Sequence, residues 1–136
     1  DAPGAGAAGG TGAALLGLLD AALQPGVEIV VDALGLEAQV QDATLVITGE
    51  GRIDSQSISG KTPIGVAAVA KKYGKPAIAL AGGLKADHRV VYDYGLDAAF
   101  AILPGVVTLE QALENARDNL ALTARNIAAV WRAAQG

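Results

Sequence analysis

Three short apolar runs constrain the fold of this chain more than anything else in it. Thr44–Thr48, Pro76–Leu80 and Ala98–Ile102 have the length and apolar character of buried strands, and each runs into glycine or proline: Gly49, Gly82-Gly83 and Pro104-Gly105. Segments of helical periodicity separate them. Ile64–Tyr73 opens after Pro63 and closes at Gly74, while Asp87–Tyr94 closes at Gly95, so both glycines stand where a left-handed residue ends a helix. Ala13–Leu23, striped with leucines, predicts a helix ended by Gln24-Pro25-Gly26, and Leu34–Val40 predicts a shorter one. Val27–Val31 is rich in β-branched residues and predicts a further strand. The last helix is expected from Leu109 to about Ala134. Thr108 and Gln111 form a capping box at its start. Leu109, Ala112, Leu113, Ala116, Leu120, Ile127 and Trp131 then recur at three- and four-residue steps, a stripe long enough to pack along a whole sheet face.

Apolar strands alternating with helices predict an α/β fold: a mostly parallel sheet of about four strands with helices on both faces, Rossmann-like or flavodoxin-like. Parallel crossovers are right-handed, so successive strand ends point the same way. The loops Gly49–Thr62, Gly82–Lys85 and Leu103–Gly105 therefore share one edge, which is where open α/β sheets bind ligands. A length of 136 residues suits a single domain with a modest core. The chain opens at Asp1, inside a glycine-rich stretch and without an initiator Met, which reads as a piece of a longer protein.

Composition excludes several kinds of chemistry. No cysteine is present, so disulfides and cysteine-held zinc are ruled out, and a cytoplasmic setting is expected. One histidine, His88, cannot build a histidine triad or a multi-histidine metal site, and within Asp87-His88-Arg89 it reads as solvated. The net charge is −4 and the ten basic residues are scattered, so no nucleic-acid surface is expected. The one small basic cluster, Lys71, Lys72 and Lys75, reads as a solvated helix end. No apolar run is long enough to span a bilayer, and no membrane partner is expected. Carboxylates, lysines, arginines and hydroxyls remain, a set that suits Mg²⁺-assisted phosphoryl transfer.

That set is concentrated between Leu45 and Thr62, in the sequence LVITGEGRIDSQSISGKT. Gly49, Glu50, Gly51, Arg52, Asp54, Gln56, Ser57, Gly60 and Lys61 all lie there, in what reads as an exposed loop between a strand and the helix opened by Pro63. Asp54 stands beside Arg52 among polar neighbours, and two duties compete for it. It either serves a reaction or forms an Asx-turn or salt bridge that shapes the loop. Glu50, between two glycines, has no evident structural duty. Gly60-Lys61-Thr62 resembles the end of a phosphate-binding P-loop, but that motif needs a glycine at position 55, where this chain has Ser55. Near the start, Gly4, Gly6 and Gly9 match the dinucleotide fingerprint, with Asp32 roughly where a ribose-binding acid belongs. The strand that should precede that fingerprint is missing, since only Asp1-Ala2-Pro3 stand before it. A Rossmann-like module binding NAD or FAD, and a non-catalytic structural or interaction domain, are the alternative readings.

PGAGAAGGTG from Pro3 to Gly12, ATLVITGEGRIDSQSISGKTPIGVA from Ala43 to Ala67 and KKYGKPAIALAGG from Lys71 to Gly83 together resemble the C-terminal portion of the type I bacterial glycerate kinases. The resemblance implies an enzyme that uses ATP and Mg²⁺ to phosphorylate glycerate, with glycerate 2-phosphate as product. It also implies that residues 1–136 are one domain of a larger kinase fold, whose missing N-terminal part would complete the site and leave this chain inactive alone. Gly49, Glu50, Gly51, Arg52, Asp54, Gln56, Ser57, Gly60 and Lys61 match the family motif and take a site role from it. Asp54 is then the candidate to accept the glycerate hydroxyl proton or to hold Mg²⁺ through water. Arg52 is expected to face the glycerate carboxylate, because its fork fits one, and Lys61, at a helix start, to face the nucleotide phosphates.

Overall fold

The computed structural model describes residues 6–136. Three parallel strands form its sheet: β1 (Val46–Ile53), β2 (Ala77–Leu84) and β3 (Ala98–Ala101), in the order β1-β2-β3. Before β1 come α1 (Thr11–Leu19), α2 (Gly26–Ala33) and α3 (Leu36–Asp42). A 3₁₀ turn at Ser55–Ile58 and α4 (Thr62–Lys72) connect β1 to β2, and a 3₁₀ helix at His88–Tyr94 connects β2 to β3. The chain closes with α5 (Leu109–Glu114) and α6 (Ala116–Gln135). The α/β class and parallel sheet agree with the sequence, with one strand fewer than the four expected.

The missing strand is Val27–Val31, which lies inside α2. Pro25 is extended and its carbonyl accepts the Glu28 N–H at 3.0 Å, so the chain enters a helix directly. β propensity measures fit to a sheet surface, and here the partner surface is a helix. Val27 packs onto α4 at Gly65, so closely that a Cβ there would lie 2.3 Å from its Cγ2. The strands β1 and β2 are longer than their apolar runs. β1 continues from Thr48 through Gly49, Glu50, Gly51 and Arg52 to Ile53, because these residues pair in register with Leu80 to Leu84. Gly49 and Gly82 mark close approach of the two backbones rather than a loop. A Cβ on Gly82 would lie 2.5 Å from the Gly51 carbonyl oxygen.

Register sorts the side chains by face. Val46, Thr48 and Glu50 pair with Ala77, Ala79 and Ala81 toward α4, where small residues let the helix lie close. Ala67 and Ala70 of α4 complete that core with Val40, Val91 and Leu96. Gly74 and Gly95 adopt φ of +64° and +101°, as their helix-ending positions demand. Lys72 does not point freely into solvent: its Nζ lies 2.7 Å from Glu37 Oε1, and Tyr73 Oη donates to Glu37 Oε2 at 2.6 Å, tying α3 to the end of α4.

The other face of the sheet is covered unevenly: Ile78 and Leu80 in its middle strand are buried, while Ile47 and Phe100 in the flanking strands are exposed. The expected single C-terminal helix is two, because the Asn115 side chain donates to the Gln111 carbonyl at 2.9 Å and competes with the helix ladder. The capping box at Thr108 is present, with Thr108 Oγ1 accepting from the Gln111 N–H at 3.2 Å. The apolar stripe of α5 and α6 does face the sheet, but neither helix has a buried residue. A groove of about 1200 Å³ separates Leu109, Leu113 and Leu120 from Ile47 and Leu80.

Candidate functional site

The site residues gather where β1 and β2 end. Gly49, Glu50, Gly51 and Arg52 lie in β1, Asp54 follows it, Gln56 and Ser57 lie in the 3₁₀ turn, and Gly60 and Lys61 precede α4. The segment is not the exposed loop that the sequence suggests. Asp54 is 1% exposed and Ser57 is 0% exposed.

The two oxygens of Asp54 stand in different surroundings. Oδ1 accepts the Gln56 N–H at 3.1 Å, and the Asp54 N–H donates to Ser57 Oγ at 3.1 Å. These bonds shape the turn, so Gln56 and Ser57 act here by holding Asp54 in place. Oδ2 has no hydrogen-bond partner among the described residues. Arg52 Nε lies 3.4 Å from it and Lys85 Nζ 3.5 Å, while Lys61 Nζ lies 3.8 Å from Oδ1. All three separations exceed the roughly 2.7–2.9 Å of a charge-assisted hydrogen bond. Burial acts to raise the Asp54 pKa, yet Lys61, the Gln56 N–H, Lys85 and Arg52 together hold it below the usual carboxylate range. Asp54 is therefore an ionised, buried acceptor ringed by cations.

Glu50 is half-buried and its Oε1 accepts its neighbour's N–H, from Gly51, at 3.2 Å. It makes no ion pair among the described residues. Gly60 turns the chain at φ +77° so that Lys61 enters α4 beside Asp54. Next to Lys61 a cavity of about 410 Å³ has apolar walls from Val30, Val31, Leu36 and Val66, with Glu50, Lys61 and Thr62 at its polar end.

Lys85 is the site residue that sequence reasoning passed over. Its signal was positional: the Gly82–Lys85 loop was placed on the same sheet edge, and Lys85 follows β2 as Asp54 follows β1. His88 also has a duty that its charged surroundings hid, donating from Nδ1 to the Lys85 carbonyl at 2.6 Å. The dinucleotide reading loses its acid, because Asp32 lies in α2 and not after a strand. Gly4 of that fingerprint lies outside the described residues.

A ring of cations around a buried carboxylate can bind an oxyanion and accept a proton or a hydrogen bond from a hydroxyl beside it. Its fit to Mg²⁺ is different. Among the described residues no three acidic or histidine side chains gather to hold a metal, and the cations beside Asp54 oppose a second positive charge.

Several known proteins similar to this chain are named glycerate kinases. The Escherichia coli K12 protein named glycerate 2-kinase is 60% identical over 129 residues, covering 95% of this chain and 34% of its own length. The Bacillus subtilis 168 protein named glycerate kinase is 56% identical, with 95% and 34% covered. A crystal structure from Salmonella typhimurium LT2, described provisionally as glycerate kinase 2, superposes with a TM-score of 0.73 at 57% identity, covering 97% of this chain and 33% of that one. The chain thus spans about a third of the length of these relatives. With the profile described as glycerate kinase family matching residues 1–132, the chain belongs to the glycerate kinase family.

Proposed function

We propose that this chain supplies part of the active site of an ATP-dependent glycerate kinase that forms glycerate 2-phosphate, and that it is the C-terminal portion of a protein of its relatives' length. The observation that carries the reading is Asp54 Oδ2, buried, ionised and without a hydrogen bond amid cations. In this reading Asp54 accepts the proton of the glycerate hydroxyl as that oxygen bonds to the terminal phosphorus of ATP. The bond from phosphorus to the bridging oxygen breaks, and ADP leaves with the electron pair. Arg52 binds the glycerate carboxylate through its fork, and Lys61, at the start of α4, offsets charge on the phosphates. Phosphoryl transfer depends chiefly on such positioning and charge stabilisation. Mg²⁺ brought in with ATP offsets phosphate charge; the described residues offer it no ligand cluster of their own.

Glycerate, ATP and the rest of the same polypeptide are the partners this reading requires. The open groove between α5–α6 and the sheet supports the last of these, since exposed leucines of an apolar stripe line it opposite an apolar sheet face and leave room for more chain. The test is Asp54→Asn in the full-length kinase. We expect kcat to fall roughly a hundredfold or more in the folded fraction. Unchanged specific activity of that fraction would leave Asp54 as a staple of the turn.

A further inference from the structure

We infer that Lys85 is a third ligand-binding residue of this site, taking a phosphate oxygen and uncovering Asp54 Oδ2 as it moves to it. The inference rests on the phosphoryl-transfer reading and extends it to a residue outside the β1–α4 motif.

The sheet itself puts Lys85 there. Ile53 pairs with Leu84, so Asp54 and Lys85 are the first residues beyond two paired strand ends. The Lys85 N–H donates to the Ile53 carbonyl at 3.0 Å, and its own carbonyl accepts the His88 N–H at 3.0 Å and His88 Nδ1–H at 2.6 Å. Ser55 Oγ donates to Asp87 Oδ2 at 2.6 Å and ties the two strand-end loops together. The backbone of Lys85 is thus fixed from both sides, while its side chain stays 53% exposed. That side chain points at Asp54 Oδ2 but stops 3.5 Å short, and the oxygen beneath it receives no hydrogen bond. A lysine whose whole duty was to neutralise Asp54 would close that distance, because an orphaned buried acceptor is costly. Charge is also concentrated there: Arg52, Lys61 and Lys85 all lie within 3.8 Å of the one buried carboxylate, Asp54. A flexible ammonium suits a phosphate as a point charge, whereas the guanidinium fork of Arg52 suits a carboxylate.

The experiment separates binding from neutralisation by removing the charge that Lys85 would neutralise. Inorganic phosphate is titrated into the full-length kinase by ³¹P NMR, comparing wild type, Asp54→Asn, and Asp54→Asn combined with Lys85→Met or Lys85→Arg. Thermal melts check that each variant is folded. We expect Asp54→Asn to bind phosphate at least as tightly as wild type, and added Lys85→Met to weaken it about tenfold or more, the loss expected for one charged contact. Lys85→Arg should restore binding to within a few-fold. Equal affinity with and without Lys85 in the Asp54→Asn background, or no phosphate binding by any variant, overturns the inference. A parallel glycerate titration distinguishes the source of the oxyanion: weakened glycerate and unchanged phosphate would make Lys85 a carboxylate ligand and also overturn it. Absence of glycerate phosphorylation by wild type would sink the kinase reading alone, leaving the phosphate titration to judge Lys85.

Discussion

Asp54 shows how one residue serves fold and site together, because its two oxygens meet different partners. Oδ1 shapes the turn after β1, and Oδ2 has no hydrogen-bond partner among the described residues, which leaves it to a ligand in the proposed reading. Its surroundings hold its folded-state pKa below the ordinary 3.8, so its ionised form contributes stability above that value. The contribution is lost as pH falls through the folded-state value. Wild type should therefore melt higher than Asp54→Asn at about pH 6, and the gap should narrow as the pH falls below 3.8 toward the lowered folded-state value. Melting curves across that range check the sign; a gap that widens in acid would contradict it. Arg52→Ala should raise KM for glycerate, and Lys61→Ala should raise KM for ATP or depress kcat. Steady-state kinetics with each substrate varied in turn would reveal a reversed assignment.

At the scale of elements, β1 and β2 approach closely just before their ends, where the site is built. Gly82→Ala would drive a Cβ to within 2.5 Å of the Gly51 carbonyl oxygen, and a backbone atom cannot turn aside as a side chain does. We expect a loss of about 1–3 kcal/mol in stability by denaturant unfolding, typical of overpacking at a tight contact. Because this close pair lies three residues before Asp54 and Lys85 on the two strands, activity of the folded fraction should fall as well. Wild-type stability and activity together would mean that the strands can part without disturbing the strand ends.

Across the described residues, large apolar side chains stand exposed on the C-terminal helices. Leu109 is 76% exposed, Leu113 69% and Val130 72%, all on helices without a buried residue. The 136-residue chain alone should bind a hydrophobic dye strongly and phosphorylate glycerate little or not at all. A protein completed to the length of its relatives should lose most of that dye binding. Robust kinase activity from the short chain would show that its site needs nothing further.

Local patterns were enough to identify β3, α4, the helix-ending glycines and the capping box at Thr108, because each depends on neighbours a few residues away. The same reasoning marked Asp54, Arg52 and Lys61 as a chemical cluster. Tertiary structure decided what depends on distant partners. Val27–Val31 is helical because it meets α4, and Gly49 to Ile53 is strand because β2 lies alongside. Lys85 reaches Asp54 only because parallel pairing sets Ile53 beside Leu84, bringing together charges 31 positions apart.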